Sequence, residues 1–117
     1  VKLRKIYQES GLSRQTLVPP EHVVDSVILG DVPKVTEDGR YRVPLVGLPG
    51  YPLPRQVTLG VFSAGQYAPD SRLDAIYDAA ARGEGYSSSL PAREGIFELL
   101  SPVLADGRYD AWVIAVE

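Results

Sequence analysis

The side chains able to do chemistry in this chain are few, and they fall in four places. His22 is the only histidine and is flanked by Glu21 and Asp25. A histidine near carboxylates can serve as a general base, because its pKa lies near neutrality. No motif pairs it with a nucleophile, and its neighbours are too few for a metal site, so a surface or core-edge histidine is the better reading. Asp70, Asp74 and Asp78 recur every four residues. Stacked carboxylates can hold a divalent cation. They also suit the start of a helix, where negative charge is favoured, and Asp78 can pair with Arg82 four residues on. The second account is preferred.

Gly83-Glu-Gly-Tyr86-Ser87-Ser88-Ser89 can cradle an anion with loop amides, hydroxyls and a following helix N-terminus. It lacks the lysine and the glycine spacing of a phosphate-binding P-loop. The fourth place is Arg40 and Arg42 on one face of a hairpin strand, with Tyr51 and Arg55 just beyond. Arginine with aromatic residues is the composition of contact hot spots. The candidate binding residues are therefore Arg40, Arg42, Tyr51, Arg55, Tyr86, Ser87, Ser88 and Ser89. No catalytic residue, metal ligand or cofactor is assigned, and the reading leans away from an enzyme.

Composition narrows the classes. The 117 residues include no Asn, Cys or Met, nine Arg against three Lys, and ten prolines. Residues that heat and oxidation damage are missing and loops are stiffened, the balance of a heat-tolerant protein. Without cysteine there is no disulfide framework, thiolate nucleophile or cysteine-held zinc. No apolar run approaches the ~20 residues of a membrane-spanning helix. The opening VKLRKIYQESG is charged without an apolar core behind it, so the expected location is the cytoplasm. Net charge is +2 through residue 66 and −5 from Tyr67 onward. That asymmetry leaves no large basic footprint of the kind duplex binding needs.

Ser10-Gly-Leu-Ser-Arg-Gln-Thr16 resembles the turn and recognition-helix start of helix-turn-helix proteins. The resemblance implies phosphate and base contacts from that stretch, supported by Lys2, Arg4, Lys5 and Arg14. Pro19-Pro20 stop such a recognition helix after barely one turn, and too little chain precedes it to complete the motif. Nucleic-acid association through this basic arm is accordingly the alternative to a binding module. A small-molecule enzyme or ligand-binding protein with an anion site at the Ser-rich loop is the further one.

The elements that must position these residues follow from periodicity. Leu3, Ile6 and Tyr7 share a helical face, predicting a short helix or arm within residues 1–20. Residues 21–29 suit helix or strand, with β-branched density favouring strand. Glu37-Asp38-Gly39 between two β-forming runs predicts a hairpin over 32–46. The Pro/Gly-rich connection 47–55 is stiff and apolar, so it should pack on the body. Residues 56–64 form a strand in which Gly60 leaves room for close packing. A helix runs from Asp70 or Ser71 to Arg82, with Leu73, Ile76, Tyr77 and Ala80 buried and Gly83 as its stop. A second helix opens at Ser89 and Pro91 and carries Ile96, Phe97, Leu99 and Leu100. Tyr109 to Val116 is apolar on both faces and belongs mid-sheet with cover on each side.

This order predicts an α+β fold in one domain, a mainly antiparallel sheet of four or five strands with two or three helices packed on it. The leading functional expectation is a small soluble binding module, a homodimer in which a partner subunit covers part of the final strand.

Overall fold

The computed structural model describes residues 3–12 and 26–117. The described residues form eight strands, β1 (Leu3–Leu12), β2 (Val27–Leu29), β3 (Lys34–Val35), β4 (Arg40–Gly47), β5 (Gln56–Ser63), β6 (Tyr86–Leu90), β7 (Gly95–Val103) and β8 (Tyr109–Val116). One helix, α1 (Leu73–Ala81), lies between β5 and β6. The strands make two antiparallel sheets. The first has the order β1-β8-β5-β6, and in the second β4 is flanked by β2 and β3 on one side and by β7 on the other.

The sheets pack face to face. Val57, Leu59 and Val61 of β5 and Tyr109, Ala111, Val113 and Ala115 of β8 meet Tyr41, Val43 and Leu45 of β4 and Phe97 and Leu99 of β7. The opposite face of the first sheet carries α1. There Ile76, Ala79 and Ala80 pack on Phe62, Trp112 and Ile114. Every residue of β8 is buried; seven of the eight are apolar, as double burial requires, and the eighth, Asp110, accepts the Gly65 N–H at 3.0 Å. The second cover on the final strand is this chain's own helix.

Local chemistry explains the elements that form as expected. Gly39, at the Asp-Gly turn, takes φ +86°, and the hairpin pairs Val35 with Tyr41. Gly60 stands opposite Trp112, and a Cβ there would lie 3.1 Å from the Phe62 ring. The absent side chain lets the indole and α1 sit close to β5. Helix α1 ends at Gly83 (φ +84°), where Glu84 N–H donates to Ala79 and Gly83 N–H to Ala80, a Schellman closure. Its start differs from expectation. Neither Asp70 nor Ser71 caps it, and Asp74 accepts the neighbouring Ala75 N–H instead.

The architecture corrects the α+β expectation. The chain is a mostly-β sandwich with one short helix, not a single sheet carrying two or three. The helix expected near the start of the chain rests on Leu3, Ile6 and Tyr7, spaced three and four apart, but Leu3–Leu12 is strand β1. In β1 a register shift between Lys5 and Tyr7 places Ile6 and Tyr7, consecutive residues, in the core together. A β-bulge thus imitates helical spacing. The predicted second helix is β6, a turn and β7. Phe97 and Leu99 face the core, while Ile96 and Leu100 face outward on the same strand. Outward apolar residues fill both faces of a strand and erase its alternation. The final part of the ambiguous 21–29 segment is strand β2, and residues 21–25 lie outside the described residues.

The Pro/Gly connection packs on the body as expected through Leu53 and Pro54, and leaves Tyr51 exposed. Gly47, at the end of β4, runs against the turn between β6 and β7. A Cβ at this position would lie 2.0 Å from the Arg93 carbonyl oxygen, a backbone atom that cannot swing aside. Gly47→Ala is expected to lower the free energy of unfolding by about 2 kcal/mol, as overpacking does. Urea denaturation of the variant and the parent measures it, and an unchanged midpoint would contradict this packing.

Candidate functional site

The two sheets differ in what lies on their outer faces. The first is covered by α1. No helix packs on the second among the described residues, but Pro44 at its centre is buried and Ile28 and Val46 are half-buried, so the exposed apolar side chains of this face are those of β7. Its outward side chains form rows across the strands: Ile28, Val46 and Ile96; then Pro44 and Glu98; then Lys34, Arg42 and Leu100. Ile96 is 83% exposed, and Leu100 and Val103 are also exposed. At the centre Arg42 donates to Glu98, an ion pair between adjacent strands. The exposed Ile96 and Leu100 therefore flank a pair of opposite charges.

Strand β7 supplies most of the exposed apolar surface and also a sheet edge. It pairs with β4 alone, leaving its other edge without a partner strand among the described residues. From Ile96 to Leu100 the ladder is regular. The irregularity comes later, where Arg42 pairs with Leu100 but Arg40 with Val103. There the Ser101 hydroxyl accepts the Tyr41 N–H at 2.8 Å and donates to the Pro102 carbonyl. Arg40 donates to the Ser101 carbonyl at 3.1 Å. Side chains thus satisfy the backbone groups that the bulge takes out of the ladder. Beside the edge, Leu90, Pro91, Arg93 and Phe97 line an open cavity of about 180 Å³.

The residues singled out in the sequence are divided among separate places. Arg40 and Arg42 lie on the second sheet's outer face, and both are engaged, with Asp38 and Ser101 and with Glu98 respectively. Tyr51 and Arg55 are exposed in the Pro/Gly connection. Tyr86 turns inward, packs edge-on against Tyr109 and accepts the Ala105 N–H. Ser87, Ser88 and Ser89 are in strand β6, not in a loop leading into a helix. Ser89 hydrogen-bonds Thr58 at 2.9 Å, and with Ser87 and Tyr77 they line a cavity of about 100 Å³ beside α1. Arg4 pairs with Glu117, and Lys5 is half-buried in β1. Lys2, Arg14 and His22 lie outside the described residues, as does most of the Ser10–Thr16 stretch. Asp74 and Asp78 border an open depression with Arg72 and Arg82, where the charges alternate. No group of three metal-ligating side chains converges among the described residues. None of their helices is long and apolar enough to cross a membrane.

No protein family model, curated protein or solved structure matches this chain. The case for function therefore rests on the surface itself.

One group escaped sequence reading altogether. Glu9 is buried between the sheets, only 3% exposed, and Tyr7 and Tyr41 both donate to its Oε1 at 2.8 Å. Burial raises its pKa above the ordinary carboxylate range, and the two phenols partly offset that. Burial beside this carboxylate also drives the Tyr41 phenol upward, so it stays a donor. A lone glutamate in a strand carries no signal of this, because Tyr41 is 32 residues away in sequence.

A raised pKa means that the folded state holds the proton more tightly than the unfolded chain. The associated stability is complete below the ordinary carboxylate range and is lost as pH rises through the raised value. Glu9→Gln keeps the acceptor and removes the charge. From pH 4 to pH 8 the variant should gain on the parent in unfolding free energy. Denaturant titrations at several pH values measure the difference, and a flat or falling difference would contradict the assignment.

Proposed function

We propose that the protein acts by binding, as a homodimer that uses the outer face of its second sheet. The observation that carries this reading is the distribution of exposed apolar side chains. Of the five large ones among the described residues, Ile96, Leu100 and Val103 are on β7, and Leu90 is at the neighbouring end of β6 in the first sheet. The fifth, Tyr51, is in the Pro/Gly connection. A contiguous exposed apolar patch with a polar surround is the mark of an interaction surface.

The need to cover β8 does not itself support a dimer, because α1 covers that strand; the exposed apolar side chains are mostly on β7. The nucleic-acid alternative gains little support, because Arg4, Arg40 and Arg42 are each matched to a carboxylate of this chain. Arginines already paired offer less to phosphates than free ones do.

Light scattering coupled to size exclusion, across protein concentrations, tests the reading. The parent should run as a dimer at low and high salt, because apolar contact carries the association. Ile96→Glu with Leu100→Glu should be monomeric while keeping the parent's circular dichroism. A parent that stays monomeric at every concentration would contradict the proposal.

A further inference from the structure

The sheet edges of this molecule are unequal. Edge strands invite pairing with another chain unless they are short, bulged or charged. Strand β6 has five residues, β2 three and β3 two. Strand β1 is long but has register shifts after Lys5 and after Glu9. Strand β7 has nine residues and a regular ladder from Ile96 to Leu100, with apolar Ile96 and Leu100 on its outer face. Its one charged residue in that span, Glu98, is neutralised by Arg42.

Resting on the binding reading above, we infer that two copies join edge to edge, β7 against β7, antiparallel about a two-fold axis at Glu98. Backbone donors and acceptors along a strand edge are complementary to the same edge turned through a half-rotation. The pairable stretch is bounded on both sides. Gly95, with φ +87°, begins the strand, and Pro102 lacks the N–H a ladder needs. Residues 95–101 are centred on Glu98.

This register places Ile96 opposite Leu100 of the second copy, twice, and Phe97 opposite Leu99 of the second copy on the inner face. Opposed residues in an antiparallel pair share a face, so apolar meets apolar on both sides. The two Glu98 carboxylates also meet, which alone would be repulsive. Each brings its own Arg42, and the four side chains form a cluster of zero net charge. The occupant that fits this charge pattern is a second copy of the chain.

The cysteine-free sequence makes a direct test clean. Opposed residues lie ~4.5–5.5 Å apart between Cα atoms, within the span of a disulfide. Under mild oxidation, Glu98→Cys should shift most of the chain to a covalent dimer. Ile96→Cys alone should not, because its counterpart is four residues, ~13 Å, along the strand. Ile96→Cys mixed with Leu100→Cys should crosslink, and Tyr51→Cys should not. Arg42→Gln should weaken the dimer by leaving two carboxylates opposed, and Arg42→Gln with Glu98→Gln should restore it.

A dimer by light scattering that fails to crosslink through Glu98→Cys, or that crosslinks through Ile96→Cys alone, would overturn edge pairing and leave the binding reading standing. A monomer would overturn both. Stoichiometric capture of a synthetic Ile96–Ser101 peptide by a monomeric chain would also overturn it, giving the edge to a peptide.

Discussion

Apart from Asp110, strand β8 is apolar on both faces, and the rest of the fold is arranged to keep both from water. Its inner residues, Tyr109, Ala111, Val113 and Ala115, require a facing sheet, and its outer pair, Trp112 and Ile114, require a second layer. One helix of nine residues is enough for that layer, because Gly60 opposite Trp112 lets the indole and Ala80 approach the sheet. With both sides of β8 covered from within the chain, the first sheet is closed. Among the described residues no helix covers the outer face of the second sheet, and Ile96, Leu100 and Val103 of its strand β7 are exposed.

The polar groups inside this arrangement follow the same logic. Glu9 is tolerated between the sheets because two phenols donate to it. The bulge of β7 is tolerated because Ser101 and Arg40 take over the hydrogen bonds it disrupts. Arg40, which in the sequence reads as a contact residue, is thereby given a structural task. Arg42 differs: its partner Glu98 lies on the outer face, where the pair sets the charge pattern of that surface.

Elements whose signals are local were legible in the sequence. The Asp38-Gly39 turn, the Gly83 stop, the alternation of β5 and the double burial of β8 each depend on neighbours within a few residues. Misreadings arose where packing changes the local period. The bulge in β1 brings Ile6 and Tyr7 into the core together, and Ile96 and Leu100 stay outside on β7, so both segments imitate a helix. Much of the candidate site was hidden for a related reason. Glu98 is 56 residues from Arg42 and Ser101 is 60 from Tyr41, and nothing in the linear order joins such pairs. The Ser-rich run drew attention as a loop, yet as a strand it offers hydroxyls to Thr58 and to the groove beside α1.

Strand β8 is sealed within the chain, and the proposed contact is at the edge of β7. Amide hydrogen exchange at dilute and concentrated protein tests both most directly. The account predicts slowest exchange in β8 at both concentrations, and protection of Ile96–Ser101 that rises only in the concentrated sample. Exchange in β8 as fast as in the edge strands, or protection of β7 indifferent to concentration, would contradict it.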